Sequence, residues 1–222
     1  MRTIAVIALK GGSGKTTVAT HLALAAQLRG LKTLVADIDP QRSTTEVLKA
    51  RGVNGPQCVA MSGQDLFSAQ IAAVGAGMDL MMIDTAAGAI EDVGQAVVLA
   101  DLVVLVVRPT LLDIAAMVRT LDVVRRLKKW AVVVVNQAPV ARDGVEPPVV
   151  KRALRALDYM QLHIAPTLLR SRAVYQTALE TGRSAEEAAD VTAAREIADL
   201  WTYVERLAFA PRDTEQAVAA ER

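Results

Sequence analysis

A chain of 222 residues, 52% apolar and 22% charged, has the material for one buried core and excludes global disorder. Its 25 Lys and Arg against 24 Asp and Glu leave a formal charge of +1, so any affinity for nucleic acid must come from local patches; two Trp, three Tyr and two Phe are too few for platforms that stack single-stranded bases. The single cysteine, Cys58, excludes an intrachain disulfide framework, a CxxC metal site and a cluster held by several thiolates of one chain, a usage that fits a reducing cytoplasm.

Met1 to Leu9 is a β-branched run leading straight into glycines, the pattern of a buried first strand (Thr3 to Ala8) and not of a signal peptide. A helix over Thr17 to Arg29, closed by Gly30, follows. Short apolar runs then predict strands at Thr33 to Asp37, Leu80 to Asp84, Leu102 to Val107 and Ala131 to Val135, with a sixth near His163 to Leu168. All but the last are nearly continuous apolar runs, and such strands alternating with amphipathic stretches are the signature of βα units on a mainly parallel sheet covered on both faces, so the expected fold is doubly wound α/β. Leu112 to Lys129 predicts a longer helix whose last turns carry Arg125, Arg126, Lys128 and Lys129, cations that complement the helix dipole. From Val149 the chain becomes helix-rich, with candidates from Ser171 or Thr177 to Glu180, Ala185 to Ala189 and Thr192 to Ala208. Residues 1–210 read as one domain and Pro211 to Arg222 as a polar tail expected to fray. No stretch reaches the roughly 18 consecutive apolar residues of a membrane-spanning helix.

The chemistry concentrates where the first strand ends, at Lys10-Gly11-Gly12-Ser13-Gly14-Lys15-Thr16-Thr17. Glycines let successive backbone N–H groups point inward, Lys15 places a cation on the terminal phosphates, the Thr16 hydroxyl can ligate Mg²⁺, and the following helix adds its positive end. The common phosphate-loop pattern asks for glycine where this chain has Leu9, and Lys10 adds a further cation. A dinucleotide loop is the rival, with Gly12-Ser13-Gly14 and a distant Asp37, but it requires glycine at Thr17 and gives the Lys-Thr pair no role.

This segment resembles the deviant Walker A motif of the ParA/MinD family of P-loop ATPases. Further along, Asp37-Ile38-Asp39-Pro40-Gln41 is similar to the family's D-x-D-P-Q switch, Met81 to Thr85 to its Walker B strand end, and Arg170-Ser171-Arg172 with Ala178 and Gly182 to its R-x-R and A-x-x-x-G segment. The likeness runs from about Met1 to Ala208; Ala86-Ala87-Gly88 departs from the family's more usual Pro-Pro. The resemblance implies an ATPase using ATP and Mg²⁺, in which Gly11 to Thr17 cradle the phosphates, Lys10 reaches across a homodimer interface to the partner's phosphates, and Lys15 neutralises charge. Asp39 would orient the attacking water. Asp37 would support its loop or the waters on Mg²⁺, Asp84 would meet Mg²⁺ through a water, and Thr16 would hold the ion directly. Asn136, emerging from the strand Ala131 to Val135, either reads the adenine edge or simply ends the strand in a turn; Pro166 would line the base.

Two segments are locally basic. Arg119 to Lys129 carries five cations against Asp122, and Lys151 to Arg172 five against Asp158. Such runs are commonly solvated helix faces, but the resemblance implies ATP-dependent, nonspecific binding of double-stranded DNA, with Lys151, Arg152, Arg155, Arg170 and Arg172 as candidate contacts. It further implies a ParB-like or other adaptor that stimulates hydrolysis, a cytoplasmic, nucleoid-associated location, and a role in segregating or positioning cargo. The absence of sequence before the first strand resembles the small plasmid-type members without a helix-turn-helix domain. The tail from Pro211 lacks the opposed Lys-rich and bulky apolar faces of a membrane-seeking helix, so no membrane partner is expected. A nitrogenase-reductase-like carrier is excluded by the lone cysteine, and a dethiobiotin-synthetase-like enzyme or a MinD-like positioning ATPase stays as the alternative.

Overall fold

The computed structural model describes residues 1–8, 10–88 and 90–210; Leu9 and the polar tail expected to fray lie outside the described residues. Six strands, β1 (Arg2–Ile7), β2 (Thr33–Asp37), β3 (Gln57–Ala60), β4 (Leu80–Asp84), β5 (Leu102–Val107) and β6 (Ala131–Val135), form one sheet in the order β3-β2-β4-β1-β5-β6. All the pairings between these strands are parallel. The register places Ile4 of β1 opposite Met82 of β4 on one side and Leu102 of β5 on the other.

Because side chains alternate across a strand, each run serves two cores at once. Ile4, Val6, Val35, Met82, Val104 and Val134 face one layer, built with α1 (Lys15–Leu28), α2 (Ser43–Arg51), α7 (Val174–Leu179) and α8 (Val191–Phe209). Ala5, Ile7, Ala36, Ile83, Leu105 and Val135 face the other, built with α3 (Leu66–Gly75), α4 (Ile90–Leu99), α5 (Leu111–Arg126) and α6 (Pro148–Tyr159). This is why the strands read as continuous apolar runs: neither face is left to water. Trp201 on α8 is wholly buried in the first layer.

One strand is not where the sequence places it. The sixth strand is β3, on the far edge beside β2, whereas the segment from His163 to Leu168 makes no regular strand. It follows β6 through single parallel bridges, Val133 to Ile164 and, further on, Ala138 to Arg170. Its apolar residues Ile164 and Leu168 pack on the core without a continuous ladder. Ala185 to Ala189, expected as a helix, is a single 3₁₀ turn over Ala185–Glu187.

With every strand parallel, the carboxyl ends of β1, β2, β4, β5 and β6 open on one edge of the sheet. That edge is the crevice in which open α/β sheets take their ligands.

Candidate functional site

The loop between β1 and α1 is shaped by two left-handed glycines, Gly12 at φ 76° and Gly14 at φ 87°, the latter serving as N-cap of α1. A side chain at Gly14 would displace a neighbour, since a Cβ there would stand 2.2 Å from Asn136 Nδ2. Two amides emerging from β6 brace the loop from the side. Asn136 Nδ2 donates to the Ser13 carbonyl at 2.8 Å and Gln137 Nε2 to the Gly12 carbonyl at 3.0 Å. With its carbonyls held outward in this way, the loop's N–H groups are left for an anion.

Lys15 opens α1 and is buried; burial lowers its pKa, and the nearby carboxylates of Asp84 and Asp39 work the other way. Asp84 ends β4 with no exposure to solvent, and its burial raises the carboxyl to about 7 against the opposing hydroxyls of Thr44 and Thr16 and the charge of Lys15. Its Oδ2 accepts the Thr44 hydroxyl at 2.7 Å, while Oδ1 is buried without a hydrogen-bond partner. A buried carboxylate oxygen left unpaired beside a threonine hydroxyl is costly unless something electropositive meets it, and a hard oxygen-seeking cation suits that donor set. The residues therefore fit Mg²⁺.

Asp37, at the end of β2, engages both oxygens inside its own loop: Oδ2 accepts the Thr45 amide at 3.0 Å and its hydroxyl at 2.7 Å, and Oδ1 accepts the Asp39 amide at 3.2 Å. Asp39 is half-buried, its Oδ1 accepting the Gln41 amide at 2.9 Å, so the segment closes as an Asx turn. Arg42 sits in the left-handed region at φ 55° and donates through Nη1 to the Asp37 and Met61 carbonyls, fixing where this segment enters α2.

Beside the loop, Thr17, Asn136 and Gln137 line a polar cavity of about 220 Å³ together with Arg170–Ala173, Tyr175 and Gln176. Asn136 is thus at the cavity wall as well as under the loop. Pro166, expected to line a base, stands exposed in a bend and is not among the lining residues. The reason is the second bridge: the chain returns to the β6 extension at Arg170, so residues 170–176 reach the crevice instead.

Lys10 Nζ lies 3.0 Å from Asp113 Oδ2 in the first turn of α5. The expected DNA contacts divide into two sets. Lys151, Arg152 and Arg155 are exposed on α6, whereas Arg170 is ion-paired with Glu146 at 2.5 Å and Arg172 with Glu196 at 3.0 Å.

Sequence reasoning missed Thr44, Thr45, Gln137, Arg42 and Asp113. Ser43-Thr44-Thr45, one residue beyond the Asp-x-Asp-Pro-Gln segment, carried a usable signal, since hydroxyls at a helix start can cap it or face the strand ends.

The family model of the CobQ/CobB/MinD/ParA nucleotide binding domain matches residues 4–174. The chain belongs to this family. A putative replication protein A of Sinorhizobium fredii (strain NBRC 101917 / NGR234) is 49% identical over 47 residues, a match spanning 21% of this chain and only 12% of that protein. Among solved structures, apo McdA of Cyanothece superposes with a TM-score of 0.75 at 18% identity, covering 92% of this chain and 99% of that one. A putative plasmid partition protein of Borrelia burgdorferi B31, bound to AMPPNP, gives 0.72 at 15%, with 92% and 99% covered. At such identities these two likenesses establish the fold. The membership establishes a nucleotide-binding P-loop domain of ParA/MinD type, and no helix among the described residues is long and apolar enough to cross a membrane.

Proposed function

We propose that this domain is an ATP-hydrolysing switch that dimerises around ATP, binds double-stranded DNA without sequence preference in that state, and positions a plasmid, chromosome or other cargo through an adaptor that stimulates hydrolysis. The observation that carries it is the convergence of the glycine loop, Lys15, Thr16 and the half-satisfied Asp84 on one crevice. Bound Mg²⁺ would supply charge neutralisation across the β- and γ-phosphates. Thr16 and Asp84 would hold the ion, Lys15 and the loop amides the phosphates, and Asp39 the attacking water. The polar cavity at residues 170–176 would take the base.

Dimerisation is supported by the apolar side chains that flank Lys10's partner: Leu111 and Leu112, 63% and 74% exposed, precede Asp113 on the crevice side of α5. DNA binding is supported by adjacent basic helices. Arg119, Arg125 and Arg126 are exposed on α5 and Lys151, Arg152 and Arg155 on α6, which packs beside it. The paired Arg170 and Arg172 are the weaker candidates.

The test is binding to a nonspecific duplex with ATP, ADP or no nucleotide, across a salt series. The wild type should bind with ATP only, more weakly as salt rises. Lys10→Ala should lose binding, Asp39→Ala should keep it while losing turnover, and replacing Lys151, Arg152 and Arg155 together with Ala should abolish it while leaving ATP binding intact. Indifference to ATP in every variant, or turnover that instead requires a small-molecule substrate, overturns the reading in favour of a metabolic P-loop enzyme.

A further inference from the structure

Asp113 is almost fully buried, yet it holds two cations that come from different parts of the chain. Its Oδ2 accepts Lys10 Nζ at 3.0 Å; its Oδ1 accepts Arg108 Nε at 2.9 Å, and Arg108 Nη2 lies 3.4 Å from Oδ2. One carboxylate cannot neutralise two cations, so a positive charge is left over beside the phosphate loop. Arg108 follows the last residue of β5 and so emerges at the same carboxyl edge as the loop. Its Nη1 would lie 3.9 Å from a Cβ at Gly12, which puts the guanidinium against the loop itself. Nε and Nη2 face Asp113, and Nη1 is the arm nearest the glycines.

Asp113 has support besides these cations. Its amide donates to the Thr110 hydroxyl at 3.2 Å, that hydroxyl donates back to its carboxylate, and the first turn of α5 favours a negative charge at this position. The carboxylate therefore keeps compensation when a cation leaves, so exchange for a competing anion does not strand a buried charge.

We propose that Arg108 is a second phosphate-binding cation of this site, held by Asp113 until the terminal phosphate of a nucleoside triphosphate reaches the loop. The inference rests on the nucleotide reading above and adds a residue to it. A guanidinium presents a planar fork that matches phosphate oxygens, and a surplus cation at the loop favours the more negative of ATP and ADP. Arg108 would thus set the preference between the two.

The experiment titrates wild type, Arg108→Ala, Arg108→Lys and Asp113→Asn with fluorescent methylanthraniloyl ATP and ADP in Mg²⁺ buffer, folding being checked by circular dichroism. Arg108→Ala should lose about tenfold in ATP affinity with ADP affinity changed less than about twofold, as expected for one charge-assisted hydrogen bond. Arg108→Lys should fall between. Asp113→Asn, which frees both cations, should tighten ATP by about threefold or more and leave ADP nearly unchanged. Equal losses for the two nucleotides, an unchanged Arg108→Ala, or weaker ATP binding in Asp113→Asn overturns the proposal. If Arg108→Ala does not fold, Arg108→Lys and Asp113→Asn decide it. A wild type that binds neither nucleotide overturns the nucleotide reading instead, and is told apart by that result alone.

Discussion

Gly14 shows how narrowly a single position is determined. Its φ of 87° and the 2.2 Å approach of Asn136 Nδ2 to an added Cβ act together, so Gly14→Ala must both strain the backbone and push the bracing amide away. Unfolding in urea should show a loss of roughly 1–3 kcal/mol, and nucleotide titration a fall in affinity beyond what that instability explains, because the loop amides would be re-aimed. The same scale shows what was legible. The glycines with Lys15 and Thr16 stood out because those types at a strand-to-helix junction have one economical chemical use, whereas Lys10, Asp39 and Asp84 were singled out through the family resemblance. Arg108 and Asp113 did not, since an arginine after a strand reads as a solvated charge and an aspartate in a helix's first turn reads as a cap. The cap of α5 is Thr110, whose hydroxyl accepts the Asp113 amide, and only the fold brings Lys10 and Arg108 to the Asp113 carboxylate.

Among the elements, α2 is clasped to the segment beyond α7. Arg51 donates to the Gly182 carbonyl at 3.1 Å and pairs with Glu187 at 2.7 Å, and Gly182, at φ 67°, would place a Cβ 2.3 Å from the Arg51 backbone nitrogen. Here the obstacle is backbone and cannot swing aside. Gly182→Ala is expected to cost about 2–4 kcal/mol in equilibrium unfolding, more than Gly14→Ala, whose obstacle is a side-chain amide. The edge strand explains where sequence reasoning failed. Gln57–Ala60 is short and mostly exposed at the sheet's rim, and its brief apolar stretch holds a single β-branched residue, Val59, too weak a signal to announce a strand. The stretch from His163 to Leu168, interrupted by Pro166 and Thr167, packs Ile164 and Leu168 on the core alongside β6, yet pairs only at isolated points. Apolar content reports burial, and only its combination with a ladder makes a strand.

At the level of the whole molecule, His21 joins one core layer to the segments that wrap it. Its Nε2 lies 3.0 Å from the Tyr175 carbonyl, and the Ala185 amide donates to Nδ1 at 3.3 Å, an arrangement that suits the neutral ring with its proton on Nε2. Burial holds the imidazole down to about 4, the Tyr175 carbonyl only partly opposing it. The unfolded chain, with an ordinary histidine near 6.5, therefore binds more protons between those values, and stability is lost as pH falls through that window. Chemical denaturation at pH 7.5 and pH 5 should show the wild type losing about 2 kcal/mol more than His21→Gln between the two. Equal losses in both proteins would remove His21 from the account.

The central place of β1 has a consequence for how the chain is made. Its partners β4 and β5 begin at Leu80 and Leu102, so β1 cannot be flanked on both sides until the chain has been synthesised past Leu102. Parallel pairing over such separations must first close long loops, which slows it and leaves apolar strands unpaired meanwhile. The nascent phosphate loop, although complete in sequence by Thr17, has no firm strand behind it until then, and its ability to grip an anion waits on the synthesis of β4 and β5.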